Sequence, residues 1–432
     1  MDCFKKSCKF ATNFLEYLME YISTRVVTMA ESETLAMTRI ARELNEAGKN
    51  VINLSIGEPD FNTPEEIKAF GKLAIDENYS HYSPVPGYLD LRKAICKKFE
   101  RDNGLKFTPE QIVVSTGAKQ SIFQLIMATV NPGDEVIIPT PYWVSYKEIA
   151  KFAEAKVIYI TTLMEDDFKV TPQQLRDAIT PKTKMIMFSS PSNPTGMLYT
   201  KEELEAIAQV LRDNPHVLVM ADEIYEHINF VGKHQSLAQF DYIKDQVITV
   251  NGVAKGFAMT GWRIGFIGAT KEIASACQKL QGQITSGTCS VAQRATLKAM
   301  ESSPEIDADV VRMREIFMQR RDLMFKLLKE INGFEVRLPQ GAFYFFPVVS
   351  SHYGKNVPAD SMFAQTYGKT TIENSTDMSM YLLYDANVAT VQGVAFGDDN
   401  CIRFSYANDE KSLIEACRRV KEAVNCLSFS QK

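Results

Sequence analysis

The chain has 432 residues, of which 45% are hydrophobic and 23% are charged, as is ordinary for a globular protein. Its formal net charge of −5 argues against nucleic acid or an anionic membrane as the main partner. No apolar run approaches the length of a membrane span, so a membrane protein is not expected.

The eight cysteines are scattered and never form a C-x-x-C pair. This spacing favours free thiols in a reducing cytoplasm over a disulfide framework or a zinc site. The five histidines include no H-E-x-x-H pattern, so a metal hydrolase has little support and no metal site is predicted.

Residues 1–28 are predicted to form an N-terminal extension. Apolar residues at positions 10, 14, 15, 18 and 22 share one face of a short amphipathic helix. Asn13, Glu16 and Glu20 interrupt the apolar run, and no small-residue cleavage site follows, so a signal peptide is not expected.

A helix is predicted over residues 34–47, followed by a strand at 51–54 that leads into the segment G-E-P-D-F at 57–61. A glycine between a strand and a proline turn, such as Gly57, most simply relieves backbone strain. Thr63 and Glu66 have the spacing of a helix N-cap and its capping box.

Short apolar runs at 112–114, 135–138, 185–188 and 217–220 read as buried strands, and polar or small residues follow each one. The Gly117-Ala118-Lys119 turn opens a helix, where free backbone N–H groups suit a phosphate. Asp222 stands just past a strand, where ligands bind in open α/β sheets, and its carboxylate needs a cation if it is buried.

The segment 248–265 contains a β-branched strand, then Lys255 among small and apolar neighbours, then Arg263. Removal of an ammonium group from water lowers its pKa, and a lysine changed in this way can attack a carbonyl. An arbitrary lysine in such a loop would more often be a surface residue.

A long amphipathic helix is predicted over 307–330, a strand at 341–345 and an exposed polar insertion at 351–376. Arg403 stands in an apolar strand, where a buried guanidinium needs an anion, and a carboxylate pairs with it in bidentate geometry.

The string A-K-G-F-A-M-T-G-W-R-I-G at 254–265 resembles the cofactor-lysine segment of the class I pyridoxal-phosphate aminotransferases. It is similar to the bacterial-type aspartate aminotransferases, the aspartate/prephenate branch. G-E-P-D-F at 57–61, N-P-T-G at 193–196 and I-R-F-S-Y-A at 402–407 resemble further motifs of that family in the same order. The resemblance begins near Met19, so residues 1–18 are a possible mis-assigned translation start.

The resemblance implies the α/β fold of pyridoxal-phosphate fold type I: a large domain with a mostly parallel seven-stranded sheet and a smaller α+β domain. The implied boundaries are an extension at 1–28, the N-terminal part of the small domain at 29–65, a large cofactor-binding domain at 66–306, and a linking helix with the small C-terminal domain at 307–432.

It also implies pyridoxal 5′-phosphate as the cofactor, with Lys255 as the catalytic residue that carries it. The residues implied for cofactor binding are Gly117, Ala118, Lys119, Trp143, Asn193, Asp222, Tyr225, Lys255, Arg263 and Tyr82, the last reaching into a neighbouring subunit of a homodimer. The residues implied for substrate binding are Gly57, Lys119, Trp143, Asn193 and Arg403.

The implied reaction is amino transfer from L-aspartate to 2-oxoglutarate, which gives oxaloacetate and L-glutamate. Aromatic, alanine or prephenate specificity and a pyridoxal-phosphate-dependent lyase remain alternatives. Three positions depart from the family pattern: 252–254 is Gly-Val-Ala where other branches have serines, Gln392 replaces a proline, and Ala30 replaces the basic residue of prephenate-using relatives. The alanine at position 30 therefore argues against prephenate as a substrate. A DNA-binding regulator is not expected, because residues 1–33 are too short for a helix-turn-helix domain.

Overall fold

A computed structural model describes residues 21–429. The predicted amphipathic helix lies almost entirely outside these residues, as does the alternative start at Met19. No helix within 21–429 is both long enough and apolar enough to cross a membrane.

The described residues form twelve strands and fourteen α-helices, with short 3₁₀ helices and one π-helical turn at Phe99–Asn103. The strands are β1 (Ile52–Asn53), β2 (Ile112–Thr116), β3 (Glu135–Thr140), β4 (Lys156–Thr161), β5 (Thr183–Ser189), β6 (Leu218–Asp222), β7 (Val247–Gly252), β8 (Ile264–Gly268), β9 (Tyr344–Phe345), β10 (Val388–Ala389), β11 (Val391–Gln392) and β12 (Ile402–Ser405). The helices are α1 (Thr24–Val27), α2 (Glu33–Glu46), α3 (Glu65–Asp76), α4 (Leu89–Lys98), α5 (Ala118–Thr129), α6 (Ser145–Phe152), α7 (Pro172–Ala178), α8 (Lys201–Arg212), α9 (Lys271–Ile284), α10 (Ser290–Glu301), α11 (Pro304–Lys329), α12 (Met362–Tyr367), α13 (Ser375–Asp385) and α14 (Glu410–Asn425).

Seven strands form one sheet in the order β2-β8-β7-β6-β5-β3-β4. Strand β8 is antiparallel to both of its neighbours, and all other adjacent pairs are parallel. The predicted mostly parallel seven-stranded sheet is therefore confirmed. Most residues of its central strands are apolar and buried, because apolar clusters pack on both faces of the sheet.

Alternate residues of each central strand pack into different cores. In β3, Ile137 joins one apolar cluster, and Val136 and Ile138 join the cluster on the opposite face. This alternation follows from the two-residue period of a strand. Because β5, β6 and β7 are parallel, their carboxyl ends lie at the same edge of the sheet, and packing on both sheet faces holds them there.

A second apolar core contains the short strands outside this sheet. Strand β10 pairs with β1 in parallel, and β11, β12 and β9 form an antiparallel sheet. The predicted long helix is observed as α11, whose Ile306 packs in the large-sheet core and whose Phe317 and Leu328 pack in the second core. The helix thus joins the two cores, while the exact domain boundaries at 65 and 306 stay a prediction.

The predicted capping box at Thr63 is wrong. The N-cap of α3 is Pro64, which makes no side-chain capping bond. The Thr63 hydroxyl instead donates to the Ala258 carbonyl oxygen at 2.8 Å and accepts a hydrogen bond from Trp262 Nε1 at 3.2 Å. A contact with a distant loop has replaced the local capping interaction.

The prediction of an exposed insertion at 351–376 is wrong in part. This segment contains helix α12, and Phe363 and Ile372 are buried in the second core. The predicted strand at 341–345 is also shorter, because only Tyr344 and Phe345 form a ladder. Sequence polarity was a poor guide here because a few apolar side chains anchor an otherwise polar segment.

One ion pair joins the loop at 56–61 to α11. The Arg320 guanidinium donates to both carboxylate oxygens of Asp60, at 2.6 and 2.9 Å, and lies 5.1 Å from the centroid of the Phe61 ring. Arg320 is buried, so its bidentate pairing matters more than that of a surface arginine. The pair holds the loop that carries Gly57.

Replacement of Asp60 by alanine is expected to lower the free energy of unfolding by about 2–4 kcal/mol, because Arg320 keeps a buried charge without its partner. Urea denaturation of the full chain measures this change. Asp309→Ala is the matched control: Asp309 pairs with Arg312 at 3.0 Å on the exposed side of the same helix, so its loss should cost less than about 1 kcal/mol. Equal losses in the two variants would contradict the assignment.

Candidate active site

A cavity of about 450 Å³ opens beside the carboxyl ends of the large sheet's central strands. Ligand sites in open α/β folds form at this edge, and the volume is typical of a small-molecule pocket. Eleven of the twelve residues that the sequence singled out line it: Gly57, Gly117, Ala118, Lys119, Trp143, Asn193, Asp222, Tyr225, Lys255, Arg263 and Arg403.

Lys255 lies in the turn after β7 and points into this cavity. Its Nζ donates to the Gly57 carbonyl oxygen at 2.5 Å and lies 5.7 Å from the centroid of the Phe343 ring. Burial lowers the pKa of Lys255 to about 8, and the positive charge of Arg403 acts in the same direction. The amine is therefore neutral far more often than a surface lysine at neutral pH, as a nucleophile requires.

Asp222 ends β6 and is buried without a cationic partner in any ion pair of the described residues. Its carboxylate accepts hydrogen bonds from the Tyr146 hydroxyl at 2.7 Å and from the Ile224 backbone N–H at 3.2 Å. Burial raises the pKa of Asp222 to about 6, although both hydrogen bonds oppose that rise. A buried carboxylate supported only by neutral donors provides a place for a cationic group.

Arg403, in β12, is buried and contacts only neutral acceptors among the described residues. Its Nη1 donates to Asn193 Oδ1 at 2.9 Å and its Nη2 donates to the Ser55 carbonyl oxygen at 2.6 Å. Its guanidinium carbon lies 4.4 Å from the centroid of the Tyr344 ring. A fixed guanidinium without a carboxylate partner is prepared to bind an anion.

Gly57 is required by close packing against Tyr344. A Cβ atom at position 57 would collide with the Tyr344 hydroxyl oxygen. That hydroxyl also lies 2.8 Å from the Tyr225 hydroxyl. The sequence explanation for Gly57, relief of backbone strain, is therefore replaced by a steric one.

The opposite end of the cavity has the features of an anion site. Helix α5 begins there at Ala118, and Gly117 has a φ of 80°, which places the chain in the left-handed region. A Cβ atom on Gly117 would collide with Arg263 Nη2, so only glycine permits the guanidinium to lie beside the helix N-terminus. Arg263 Nη1 donates to the Thr260 carbonyl oxygen at 2.8 Å. Backbone N–H groups and a guanidinium together suit a phosphate.

Lys119 and Trp143 contact each other at the cavity wall. The Lys119 Nζ lies 4.9 Å from the centroid of the Trp143 ring, and burial lowers the pKa of Lys119.

Tyr82, in contrast, does not line the cavity and is 95% exposed. Its predicted contact with a neighbouring subunit stays a prediction.

Three residues that contact the predicted groups were missed by the sequence analysis. Tyr146 lies three residues after Trp143, about one helical turn, and that spacing could have indicated a shared surface. Tyr344 lies in the aromatic segment at 341–345, for which the sequence predicted a strand and no role in the site. Ser55 contributes a backbone carbonyl oxygen, for which a sequence carries no signal.

Among the described residues, Glu223, Glu226 and His234 have potential metal-binding atoms within 4.8 Å of one another. The buried Lys98 ammonium contacts Glu226, and Asn103 donates to the same carboxylate at 2.8 Å. A lysine therefore already supplies the cation that the Glu226 carboxylate needs. His234 Nε2 lies 3.1 Å from Glu223 Oε2, so these residues form one buried cluster of polar and charged side chains.

Comparisons with known proteins agree with this arrangement. Residues 49–420 match the family model described as aminotransferase class I and II. The chain belongs to the class I and II aminotransferases.

Among the relatives of this aminotransferase is the bifunctional aspartate aminotransferase and glutamate/aspartate-prephenate aminotransferase of Petunia hybrida. The two are 44% identical over 404 residues, which cover 93% of this chain and 82% of the relative. An aspartate/prephenate aminotransferase of Cereibacter sphaeroides is also 44% identical, over 93% of this chain and 98% of its own length. The crystal structure of the aspartate aminotransferase from Rhizobium meliloti superposes with a TM-score of 0.88 at 39% identity, covering 94% of this chain and 99% of that one. The predicted family and fold are confirmed.

Replacement of Tyr146 by phenylalanine is expected to raise the pKa of Asp222 further above its value of about 6, because the hydroxyl no longer stabilises the ionised form. Titration of aspartate-labelled, cofactor-free protein by carbon NMR measures this pKa. Tyr199→Phe is the control: its buried hydroxyl accepts from the Val170 N–H at 2.9 Å and does not touch Asp222. An unchanged Asp222 titration in the Tyr146 variant would refute the attribution.

Proposed function

We propose that this aminotransferase uses pyridoxal 5′-phosphate to transfer the amino group of L-aspartate to 2-oxoglutarate. The observation that carries the proposal is the presence, in one cavity, of three ionisable groups that have no ionic partner within residues 21–429: the Lys255 amine, the Asp222 carboxylate and the Arg403 guanidinium.

The residues present fit pyridoxal phosphate. Asp222 would accept a hydrogen bond from the protonated ring nitrogen of the cofactor. That nitrogen would supply the cation that this buried carboxylate otherwise lacks. The α5 N-terminus and Arg263 would hold the phosphate, and the Trp143 ring is available to stack on the pyridine face. Asn193 and Tyr225 lie on the same cavity wall and would bond the ring's phenolic oxygen.

The cofactor, when bound, supplies an electron sink for the carbanion that forms at the substrate α-carbon. The Lys255 Nζ carries the proton that leaves that carbon. Its pKa of about 8 suits this role, because an acid–base group works best when its pKa lies close to the working pH. The Gly57 carbonyl oxygen orients the amine by accepting a hydrogen bond from it.

Arg403 and Lys119 are two cations for a dicarboxylate substrate. Arg403 is fixed by two hydrogen bonds and suits bidentate binding of the α-carboxylate. Lys119 lines the same cavity and is proposed to face the distal carboxylate. The names of the Petunia, Cereibacter and Rhizobium relatives, each containing aspartate, support an acidic donor.

Prephenate is a second candidate acceptor, because the Petunia and Cereibacter names include it. Ala30 is absent from the cavity wall, and its backbone N–H donates to Glu148 Oε2 at 3.1 Å. A basic residue at position 30 would therefore also meet Glu148. The expectation that Ala30 disfavours prephenate stays a prediction, which kcat/KM for prephenate and 2-oxoglutarate decides.

A homodimer and a reducing compartment are part of the proposal. Tyr82 and the segment at 285–290 border an open depression, which suits a subunit contact. The cysteines at 96, 277, 289, 401, 417 and 426 are all free thiols, which supports a cytoplasmic location. Sedimentation of the full chain tests the dimer.

Lys255→Ala is expected to abolish transamination almost entirely while the protein still binds pyridoxal phosphate through Arg263, Asp222 and the α5 N-terminus. Absorbance of the dialysed protein measures binding, and oxaloacetate formation measures activity. In the unmutated protein, borohydride reduction followed by peptide mapping should place the cofactor on Lys255. A label on a different lysine would refute this assignment, and the exposed Lys271→Ala variant should behave as the parent.

Lys119→Ala is expected to reduce kcat/KM for aspartate and glutamate by about 10- to 150-fold, because a charge-assisted bond contributes about 1.5–3 kcal/mol. Alanine and phenylalanine as donors should lose much less, since neither has a distal carboxylate. Lys147→Ala is the matched control, because Lys147 lies on α6 outside the cavity wall and pairs with Glu148 at 4.0 Å. Equal losses with acidic and neutral donors would show that Lys119 does not bind the distal carboxylate.

A further inference from the structure

Helix α2 lines the mouth of the cavity with its first two turns. Thr34, Leu35 and Thr38 are part of the cavity wall, and Leu35 is 63% exposed at the opening. Met37 and Ala41 of the same helix are buried in the second core. The body of α2 is therefore anchored by packing, whereas the residues at the mouth belong to its first turns.

The first turn of α2 lacks the usual N-terminal cap. Ser32 is the N-cap residue, but its side chain makes no capping hydrogen bond, and residues 29–32 before it have no regular structure. An uncapped first turn leaves backbone N–H groups without partners and frays more readily. Another contact must hold this end of the helix in place.

That contact comes from Gln392, which occupies a position where many members of the resembled family have proline. The Gln392 Nε2 donates to the Glu33 carboxylate at 2.6 Å, and Gln392 is buried. Glu33 is the first residue of α2, so the bond fixes the helix at its start. Hydrogen bonds to an ionised carboxylate are about twice as strong as neutral ones.

The strand that contains Gln392 pairs with the strand that contains Arg403. Gln392 follows Val391, which is the register partner of Arg403 in the antiparallel β11–β12 pair. A second connection runs through Thr38, whose hydroxyl lies 3.2 Å from the Ser55 hydroxyl, while the Ser55 carbonyl oxygen accepts from Arg403. Two chains of contacts thus connect the first turns of α2 with the Arg403 guanidinium, one through Gln392 and one through Ser55.

We propose that Gln392 is a positioning residue that, through Glu33, holds the first turn of α2 over the Arg403 end of the cavity and so strengthens carboxylate substrate binding. Neither Gln392 nor Glu33 lines the cavity, so both act through Thr34, Leu35 and Thr38. The proposal rests on the proposed function, in which Arg403 binds the substrate α-carboxylate.

The test uses four variants of the full chain loaded with pyridoxal phosphate. Gln392→Leu removes the donor, and Gln392→Glu places two carboxylates against each other. Glu33→Gln removes the acceptor charge. The double variant Glu33→Gln/Gln392→Glu restores the hydrogen bond with donor and acceptor exchanged. Glu31→Gln is the matched control, because Glu31 lies just before α2 and pairs with the exposed Arg39 at 3.9 Å.

Gln392→Glu is expected to raise KM for aspartate, and Kd for the non-reacting dicarboxylate succinate, by about five- to tenfold, which is less than the loss of a direct charge-assisted bond because Gln392 acts through the helix and does not touch the substrate. The kcat at saturation should change less than about twofold, because Lys255 and Asp222 are untouched. Both constants should return close to parent values in the double variant. Hydrogen exchange at residues 33–38 should be faster in the single variants and slow again in the double variant.

Unchanged KM and Kd in Gln392→Glu would overturn the proposal, as would a double variant no better than Gln392→Glu. A general loss of stability without a specific effect on KM would also overturn it; thermal denaturation of each variant measures this. If the parent chain binds succinate but does not transaminate aspartate, the proposed function fails, whereas succinate binding and hydrogen exchange still test the Glu33–Gln392 bond.

Discussion

The site depends on two buried charges of opposite sign that have no ionic partner among the described residues. Asp222 is supported by a tyrosine hydroxyl and a backbone N–H, and Arg403 by an amide oxygen and a backbone carbonyl oxygen. Each arrangement holds the charged group in place without neutralising it. Because burial of an unpaired charge is costly, such groups persist where a ligand completes them. We propose a cofactor cation as the ligand of Asp222 and a substrate carboxylate as the ligand of Arg403.

The fold keeps these charges apart and still within one cavity. Asp222 ends a strand of the large sheet, whereas Arg403 lies in the small antiparallel sheet of the second core. Lys255 lies between them in the turn after β7, bonded to the loop that carries Gly57. That loop is itself held by the Asp60–Arg320 pair on the helix that joins the two cores. Contacts between the cores therefore decide where the lysine amine points.

Aromatic side chains supply much of the rigidity around the charges. Tyr344 packs its ring under Arg403 and shares a hydrogen bond with Tyr225, while its hydroxyl occupies the space that Gly57 leaves open. Such groups set geometry without adding charge, so they carry little signal in a single sequence. The N-terminal helix α2 completes the wall from a third direction, and its first turn depends on a polar contact with Gln392.

The sequence by itself identified the family, because the motifs around Gly57, Asn193, Lys255 and Arg403 are local patterns. The resemblance to that family then implied the seven-stranded sheet and eleven of the residues that line the cavity. It could not determine that Thr63 contacts Ala258 instead of capping a helix, or that Phe363 and Ile372 bury part of a polar segment. Nor could it identify Tyr146, Tyr344 or the Glu33–Gln392 bond, whose members are up to 359 positions apart. Only the tertiary structure decided these contacts, since side chains distant along the chain meet only when strands and helices have packed.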